Sequence, residues 1–317
     1  MSTAPLPYDM FELARSAEEA RRADKLSAIY HRGQMLAWNG RDVLAELVAR
    51  HGPPQVDPDT RRALQRVFAI LMWGELAAWR ISAQLADRLV ALEPKMAATS
   101  QAHDEARHFY VLHDYLALLG DVPGRPDPAA EAVLEMTLRT HSVVEKLLGM
   151  QLLIENIALT IFHHVRVLGV EPVLCDLLAY YEKDEARHVG LGVQALPDLL
   201  RAMSLPEGLK LLAFQLRLIT NVLRSLKSIE PDLRALGIPA REIIEHGTGK
   251  MEHTTQLMFT ELGVRTTAGH ELTKRTTGAI VELAFPPADA ASFGARLAAA
   301  VRVLRHGPDV TPVPGPD

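Results

Sequence analysis

The sequence predicts an all-α protein built around four long helices, and three observations carry that reading. Apolar residues recur at helical spacing through nearly the whole chain, and the alternating pattern of a half-buried strand is nearly absent. Proline and glycine appear mostly at breaks between these stretches. The pentapeptide Asp-Glu-Ala-Arg-His occurs twice, at residues 104–108 and 184–188, and each copy has a lone glutamate 30 residues before its own: Glu75 before Glu105, Glu155 before Glu185.

Residues 10–32 and 41–51 read as preliminary helices, the second ending at His51-Gly-Pro-Pro54. Asp57 or Asp59 caps the first long helix, which runs to about Val90. A turn at Leu92-Glu-Pro94 follows, proline suiting the first turn of the next helix. That second helix covers about 95–119 and stops at Gly120. A Pro-rich connection over 121–128 leads to a crossover helix at 129–140. Ser142-Val-Val-Glu145 has the pattern of a capping box, which starts the third long helix near Ser142 and makes Glu145 a cap rather than a ligand. After the turn Gly169-Val-Glu-Pro172 the fourth spans about 172–202, and two or three further helices occupy 206–263. The tail from Thr266 holds one helix at 288–305. The expected organisation is one structural domain: N-terminal helices in 1–56, a four-helix bundle in 57–203, C-terminal helices packed on it in 204–305, and a disordered tail at 306–317.

On a helix, positions i and i+3 share a face, so Glu105 with His108, and Glu185 with His188, each project together and can hold one ion. A single Glu-x-x-His is common; two identical copies with matched upstream glutamates are not. The stretches around Glu75 and Glu155 are strongly apolar, and an isolated carboxylate there carries a desolvation cost that a cation offsets. One Glu from each of two helices plus Glu-x-x-His from each of two others is the set with which four-helix bundles hold paired iron or manganese ions. Both Glu-Pro turns fall near the midpoint between the glutamates they connect, so at ~1.5 Å rise per residue each carboxylate sits roughly 20 to 25 Å from its turn on either arm.

The predicted metal ligands are therefore Glu75, Glu105, His108, Glu155, Glu185 and His188. A ligating imidazole needs an acceptor for its other ring nitrogen. Asp184 can serve His108 and Asp104 can serve His188 across the bundle, with Arg107 and Arg187 pairing with those aspartates. Gln151, one turn before Glu155, reaches the same region. Ala158, Leu159 and Phe162 are expected to wall an apolar substrate pocket; Trp79, one turn after Glu75, is a further candidate whose other role is packing.

Composition excludes several classes of function. A net charge of −5 gives no electrostatic case for nucleic acid, and there is no basic stripe or zinc-finger spacing. The single Cys175 rules out an intrachain disulfide and a cysteine-ligated cluster within one chain, and it fits a reducing cytosol, so a cytoplasmic location is expected. No basic region followed by an apolar run opens the chain, and no segment reaches ~18 uninterrupted apolar residues, so neither a secretory signal nor a membrane span is expected.

With these six residues placed, the chain resembles the ferritin-like di-iron carboxylate superfamily over about residues 60–200. That group includes ribonucleotide reductase small subunits, multicomponent monooxygenases, acyl-carrier-protein desaturases and arylamine N-oxygenases. The resemblance implies a ferritin-like four-helix bundle with additional N- and C-terminal helices, in which Glu105 and Glu185 bridge both ions. Departures from subfamily patterns narrow the reaction. Similar arylamine N-oxygenases carry a further histidine one turn before the last ligating glutamate, where this chain has Tyr181. The radical tyrosine of reductase small subunits would lie at Leu112, and Tyr110 points about 200° away from His108. The threonine of hydroxylating monooxygenases is replaced by Leu159.

Tyr181 is the candidate catalytic residue beyond the ligands. It shares the face of Glu185 and His188, where a phenol can hydrogen-bond a ligand, bind metal or donate one electron; the competing role is a core aromatic with its hydroxyl satisfied. The function expected is an O2-activating dinuclear metal oxidoreductase, with two Fe ions or a Mn/Fe pair and O2 as co-substrate, acting on a small apolar organic substrate. No nucleotide-binding glycine loop is present, so electrons must come from a separate ferredoxin or reductase. The apolar helices of 206–263 are compatible with a homodimer. Iron storage by ferroxidase chemistry and a metal-free scaffold are the alternatives.

Overall fold

The computed structural model describes residues 24–122, 124–287, 290 and 292–314. Residues 10–23 of the predicted first helix lie outside these. Among the described residues the chain is helical throughout, without a strand: α1 (Asp24–Met35), α2 (Gly40–His51), α3 (Pro58–Arg88), α4 (Leu92–Leu119), α5 (Pro128–Arg139), and a third rod made of α6 (Val143–Leu147), a π-helical stretch (Leu148–Ile154) and α7 (Glu155–Leu168). Then come α8 (Pro172–Arg201), α9 (Leu205–Ser228), α10 (Glu230–Ala235), α11 (Ala240–Leu262), α12 (Ala268–Ala284) and α13 (Phe293–His306).

Local chemistry sets the boundaries. Asp57, not Asp59, caps α3: its side chain accepts from the Asp59 and Thr60 amides, with Pro58 opening the helix. Glu171 does the same for α8 through the Val173 and Leu174 amides, and its carboxylate also accepts the Tyr115 hydroxyl at 3.0 Å. Two buried lysines close helix ends from outside. Lys95 donates to the Ala86 and Asp87 carbonyls at the end of α3, and Lys146 to the Thr137 and Leu138 carbonyls at the end of α5.

The capping box expected at Ser142 forms only in part. Ser142 accepts from the Glu145 amide at 3.3 Å, but the Glu145 carboxylate takes the Thr140 hydroxyl instead. Thr140 also accepts the Ser142 amide that the glutamate was to cap. Position 140 thus offers a nearer partner to both.

Rods α3, α4, α6–α7 and α8 form the bundle. Along α3 the inward seam is Leu64, Phe68, Leu71, Glu75, Ala78, Ser82 and Leu85, all buried, in steps of four and three as in coiled-coil packing. The acidic residues of the four rods occupy one layer between two apolar cores. One core gathers Phe68, Met72, Leu112, Leu116, Phe162 and Leu178; the other gathers Ala78, Ile81, Leu147, Met150, Leu191 and Leu196. Polar side chains in that layer are therefore cut off from water above and below.

Packing against the third rod depends on Gly192 in α8. A Cβ there would lie 2.7 Å from the Gln151 Cβ and 3.1 Å from Leu152, on the π-helical stretch. Gly192→Ala is expected to destabilise the protein by about 1–3 kcal/mol, because neither Cβ can rotate away. A thermal melt of the variant checks this, and an unchanged midpoint contradicts it.

The C-terminal part departs from expectation twice. Helix α12 was not anticipated: its sequence is rich in threonine, of poor helix propensity, and it forms because Thr267 caps it and Ala279 and Val281 are buried. Residues 307–314 were expected to be disordered with the rest of the tail. They instead pack on α12 and then α11, with Pro308 beside Gly278 and the Val313 amide donating to the Gly249 carbonyl at 3.0 Å.

Candidate metal centre

The four rods bring all six predicted ligands into the buried layer as two overlapping groups. Glu75, Glu105, His108 and Glu185 form one, and Glu105, Glu155, Glu185 and His188 the other; within each group one donor atom per residue lies within 4.8 Å of the rest. Glu105 and Glu185 belong to both. Each group offers three carboxylates and one imidazole, a hard, anionic donor set that suits iron or manganese.

Both imidazoles turn Nδ1 toward the acids. His108 Nδ1 stands 3.1 Å from Glu185, 3.5 Å from Glu75 and 3.6 Å from Glu105, and His188 Nδ1 lies 2.7 Å from Glu185, 3.1 Å from Glu105 and 3.8 Å from Glu155. Glu105 Oε2, Glu185 Oε1 and His108 Nδ1 are buried without a hydrogen-bond partner. Three such orphans facing one another are costly unless something binds them, and a pair of cations satisfies all three. The residues present therefore fit a dinuclear metal site.

The opposite ring nitrogens meet the aspartates in the predicted crosswise pattern. His108 Nε2 is 3.0 Å from Asp184, and His188 Nε2 is 3.4 Å from Asp104. Arg107 reaches Asp104 at 2.6 Å and Asp184 at 2.8 Å; Arg187 reaches Asp104 at 2.9 Å and Asp184 at 2.6 Å. The two arginines bridge the two aspartates into one buried tetrad. Although burial works against ionisation, hydrogen bonding and charge from His108, with Arg187 and Arg107 beside it, hold the Asp184 carboxyl far below its ordinary value. Asp104 is lowered in the same way against its burial, chiefly by His188.

Two neighbours escaped sequence reasoning. Gln101 donates to both Glu105 and Glu155 at 2.9 Å and accepts from Gln151 at 3.0 Å, tying the predicted Gln151 to the acids only indirectly. Its place one turn before Glu105 was the available signal. Trp38 donates its indole N–H to Asp184 at 2.8 Å, and the Arg107 guanidinium lies 4.6 Å over its ring. It stands in the link between α1 and α2, where periodicity gives no signal.

Tyr181 is buried, stacks on His108 with ring centroids 4.1 Å apart, and donates its hydroxyl to the His108 carbonyl at 2.7 Å. The phenol oxygen is thus engaged with backbone, not with an acid of the layer. Ala158 and Phe162 are buried in packing, Phe162 edge-on to Tyr181, while Leu159 borders a cavity. Trp79 corrects the pocket assignment, being 42% exposed. The coiled-coil seam steps from Glu75 to Ala78 and Ser82, so the residue four places on falls on the flank.

Burial, then the Glu185 charge, raises Glu75 well above the carboxylate range, and burial with Glu185 and Glu105 does so for Glu155. Glu105, despite its burial, is held well below by His188 and His108. Both histidines are raised well above theirs against burial, His108 by Asp184 and the facing glutamates, His188 by Glu105 and Glu185. These directions favour protons on Glu75, Glu155, His108 and His188 in the metal-free layer. Ion uptake must release them, so affinity is expected to fall as pH drops from 8 to 6. Titrating Fe(II) anaerobically in weak buffer reads both effects, and pH-independent uptake without proton release contradicts the assignment.

No described protein family matches the sequence, and no curated protein does. Solved structures do resemble it. A Synechococcus protein described as having aldehyde deformylating oxidase activity superposes with a TM-score of 0.55 at 18% identity, covering 65% of this chain and 94% of that one. An R2-like ligand-binding oxidase with an aerobically reconstituted metal cofactor, after photoconversion, gives 0.45 at 12% identity, covering 88% and 90%. A mutant of such an oxidase with a Mn/Fe cofactor gives 0.45 at 15%, covering 76% and 87%. The first likeness shows the fold: the all-α, ferritin-like bundle that the sequence predicts.

Proposed function

We propose that this protein is an O2-activating dinuclear metal oxidoreductase acting on a small apolar organic substrate. The observation that carries the reading is the membership of Glu105 and Glu185 in both ligand groups, the arrangement that brings two ions close enough to work together. Two iron ions, or manganese with iron, would supply the electron transfer to O2. That the Synechococcus protein of similar fold is described as having aldehyde deformylating oxidase activity supports the same class.

The chain's own part is to hold, orient and keep dry. Glu75 and His108 would complete one ion's ligands, Glu155 and His188 the other's. Asp184 and Asp104 fix the Nε2 proton of each histidine, leaving each Nδ1 lone pair toward the acids. Gln101 sets the rotamers of Glu105 and Glu155 through a bifurcated amide. The two apolar cores exclude water. Electrons would come from a separate ferredoxin or reductase, and the hydrogen-bonded line from half-buried Trp38 through Asp184 to His108 gives them a path inward. No helix among the described residues is long and apolar enough to cross a membrane; Cys175, half-buried and with its thiol raised by burial, suits a cytoplasmic setting. The outer helices would be available for a homodimer.

Anaerobic loading with Fe(II) followed by repeated pulses of O2 tests the proposal. It predicts uptake of O2 in fixed proportion to protein, with further turnover only when a reductant and an apolar organic substrate are present. Steady consumption of Fe(II) with mineral growth would replace it with iron storage.

A further inference from the structure

One turn along α7 from Glu155, the helices α7, α8 and α11 and the C-terminal strap of residues 307–314 line a partly open cavity of about 350 Å³. This is the size range of small-molecule sites. Lys250 lies in its wall, 5% exposed, and its ammonium makes no hydrogen bond or ion pair among the described residues. One oxygen of Glu182, the acid of the cavity, is taken by Arg166, the other is buried without a hydrogen-bond partner, and the carboxylate acts on Lys250 only from a distance. Burial pulls the ammonium down to about 8, which leaves it largely charged at neutral pH. An ammonium held in a largely buried wall with no protein partner is left facing the cavity, where an anion would be favoured.

The surroundings specify what would compensate it. His163 and His246 meet edge to face at 4.9 Å; burial and Lys250 lower both, His246 to about 4, so they are neutral and each has an N–H to donate. Leu159, Val313 and Pro314 make the opposite wall apolar. With the Glu182 charge matched by Arg166, Lys250 leaves one net positive charge, and together with two neutral donors and an aliphatic wall this fits a singly charged organic molecule better than an inorganic polyanion, which would need more positive charge.

We propose that this cavity binds a small organic anion, its charged end held by Lys250 with His163 or His246 and its apolar end lying on Leu159, Val313 and Pro314. The strap is part of the site. It seats on Gly249, where a Cβ would lie 2.7 Å from both the Thr311 carbonyl oxygen and Val313 Cγ2. Only glycine lets it close. None of these residues is in either ligand group, so binding is expected in the metal-free chain as well.

Calorimetric titration of the full-length, chelator-treated chain at pH 7 with hexanoate, 1-hexanol and inorganic phosphate tests this. Hexanoate is expected to bind saturably, and hexanol and phosphate about tenfold more weakly or worse. Lys250→Met, which keeps the apolar stem, should weaken hexanoate by about 10- to 100-fold, the loss of a charge-assisted hydrogen bond, and bring it level with hexanol. Gly249→Ala leaves the lysine in place but lifts the strap, and should weaken both hexanoate and hexanol. The proposal is overturned if hexanoate does not bind saturably, if hexanol or phosphate binds equally well, or if a folded Lys250→Met chain binds hexanoate as the parent does. Should Lys250→Met fail to fold, undiminished hexanoate binding by Gly249→Ala overturns it.

Discussion

Glu105→Ala abolishes dinuclear binding: metal analysis of the variant purified from iron-replete cells shows no pair of ions, where the parent chain carries two. The effect is this large because Glu105 stands in both ligand groups, so its loss opens both at once. Glu185→Ala does the same for the same reason. Glu75→Ala is the informative contrast, since Glu75 belongs to one group only, and it should spare the ion at Glu155 and His188. Two ions and an unchanged spectrum in Glu105→Ala would rule out the ligand assignment.

Asp184→Ala is expected to be the most destabilising single substitution in the bundle. Asp184 receives Trp38, Arg107, Arg187 and His108, and its removal leaves Arg107 and Arg187, both buried, to share Asp104 alone. Breaking a buried ion network from one side costs about 3–5 kcal/mol. Because the folded carboxyl titrates far below its unfolded value, its contribution is complete above the unfolded value of about 3.9 and is lost as pH falls through the folded one. The gap between parent and variant in metal-free urea unfolding should therefore be full at pH 7 and shrink in acid. Metal affinity should fall as well, by about 10- to 100-fold, since His108 loses the partner that orients it. Equal unfolding midpoints at pH 7 would show that the tetrad carries no such energy.

Much of this was legible in the sequence because it is written in helical periodicity. The duplicated Asp-Glu-Ala-Arg-His places a ligand pair, an aspartate and an arginine at fixed angles on each of two rods, so even the crosswise pairing of Asp184 with His108 follows from spacing. The Glu-Pro turns fixed the height at which the rods meet. What escaped was whatever period alone does not encode. Trp38 reaches the site from a link between helices, and Gln101 was hidden among polar residues that read as a helix surface. The π-helical stretch before Glu155 is, apart from Gly149, made of ordinary helix-forming residues, and its wider turn is accommodated by Gly192 from another rod. Trp79 was misplaced because the seam steps from Glu75 to Ala78 and Ser82, which leaves position 79 on the flank. The docked strap depends on Gly249, a glycine inside a helix whose reason lies some sixty residues away in the chain.

The central claim is that two cations share Glu105 and Glu185 in a layer closed between two apolar cores. Anomalous diffraction recorded at the iron and manganese edges tests it most directly. The account predicts two peaks about 3.5–4 Å apart, one beside Glu75 and His108 and the other beside Glu155 and His188, with both shared carboxylates between them. A single peak, no peak, or metal bound only at the protein surface would contradict it.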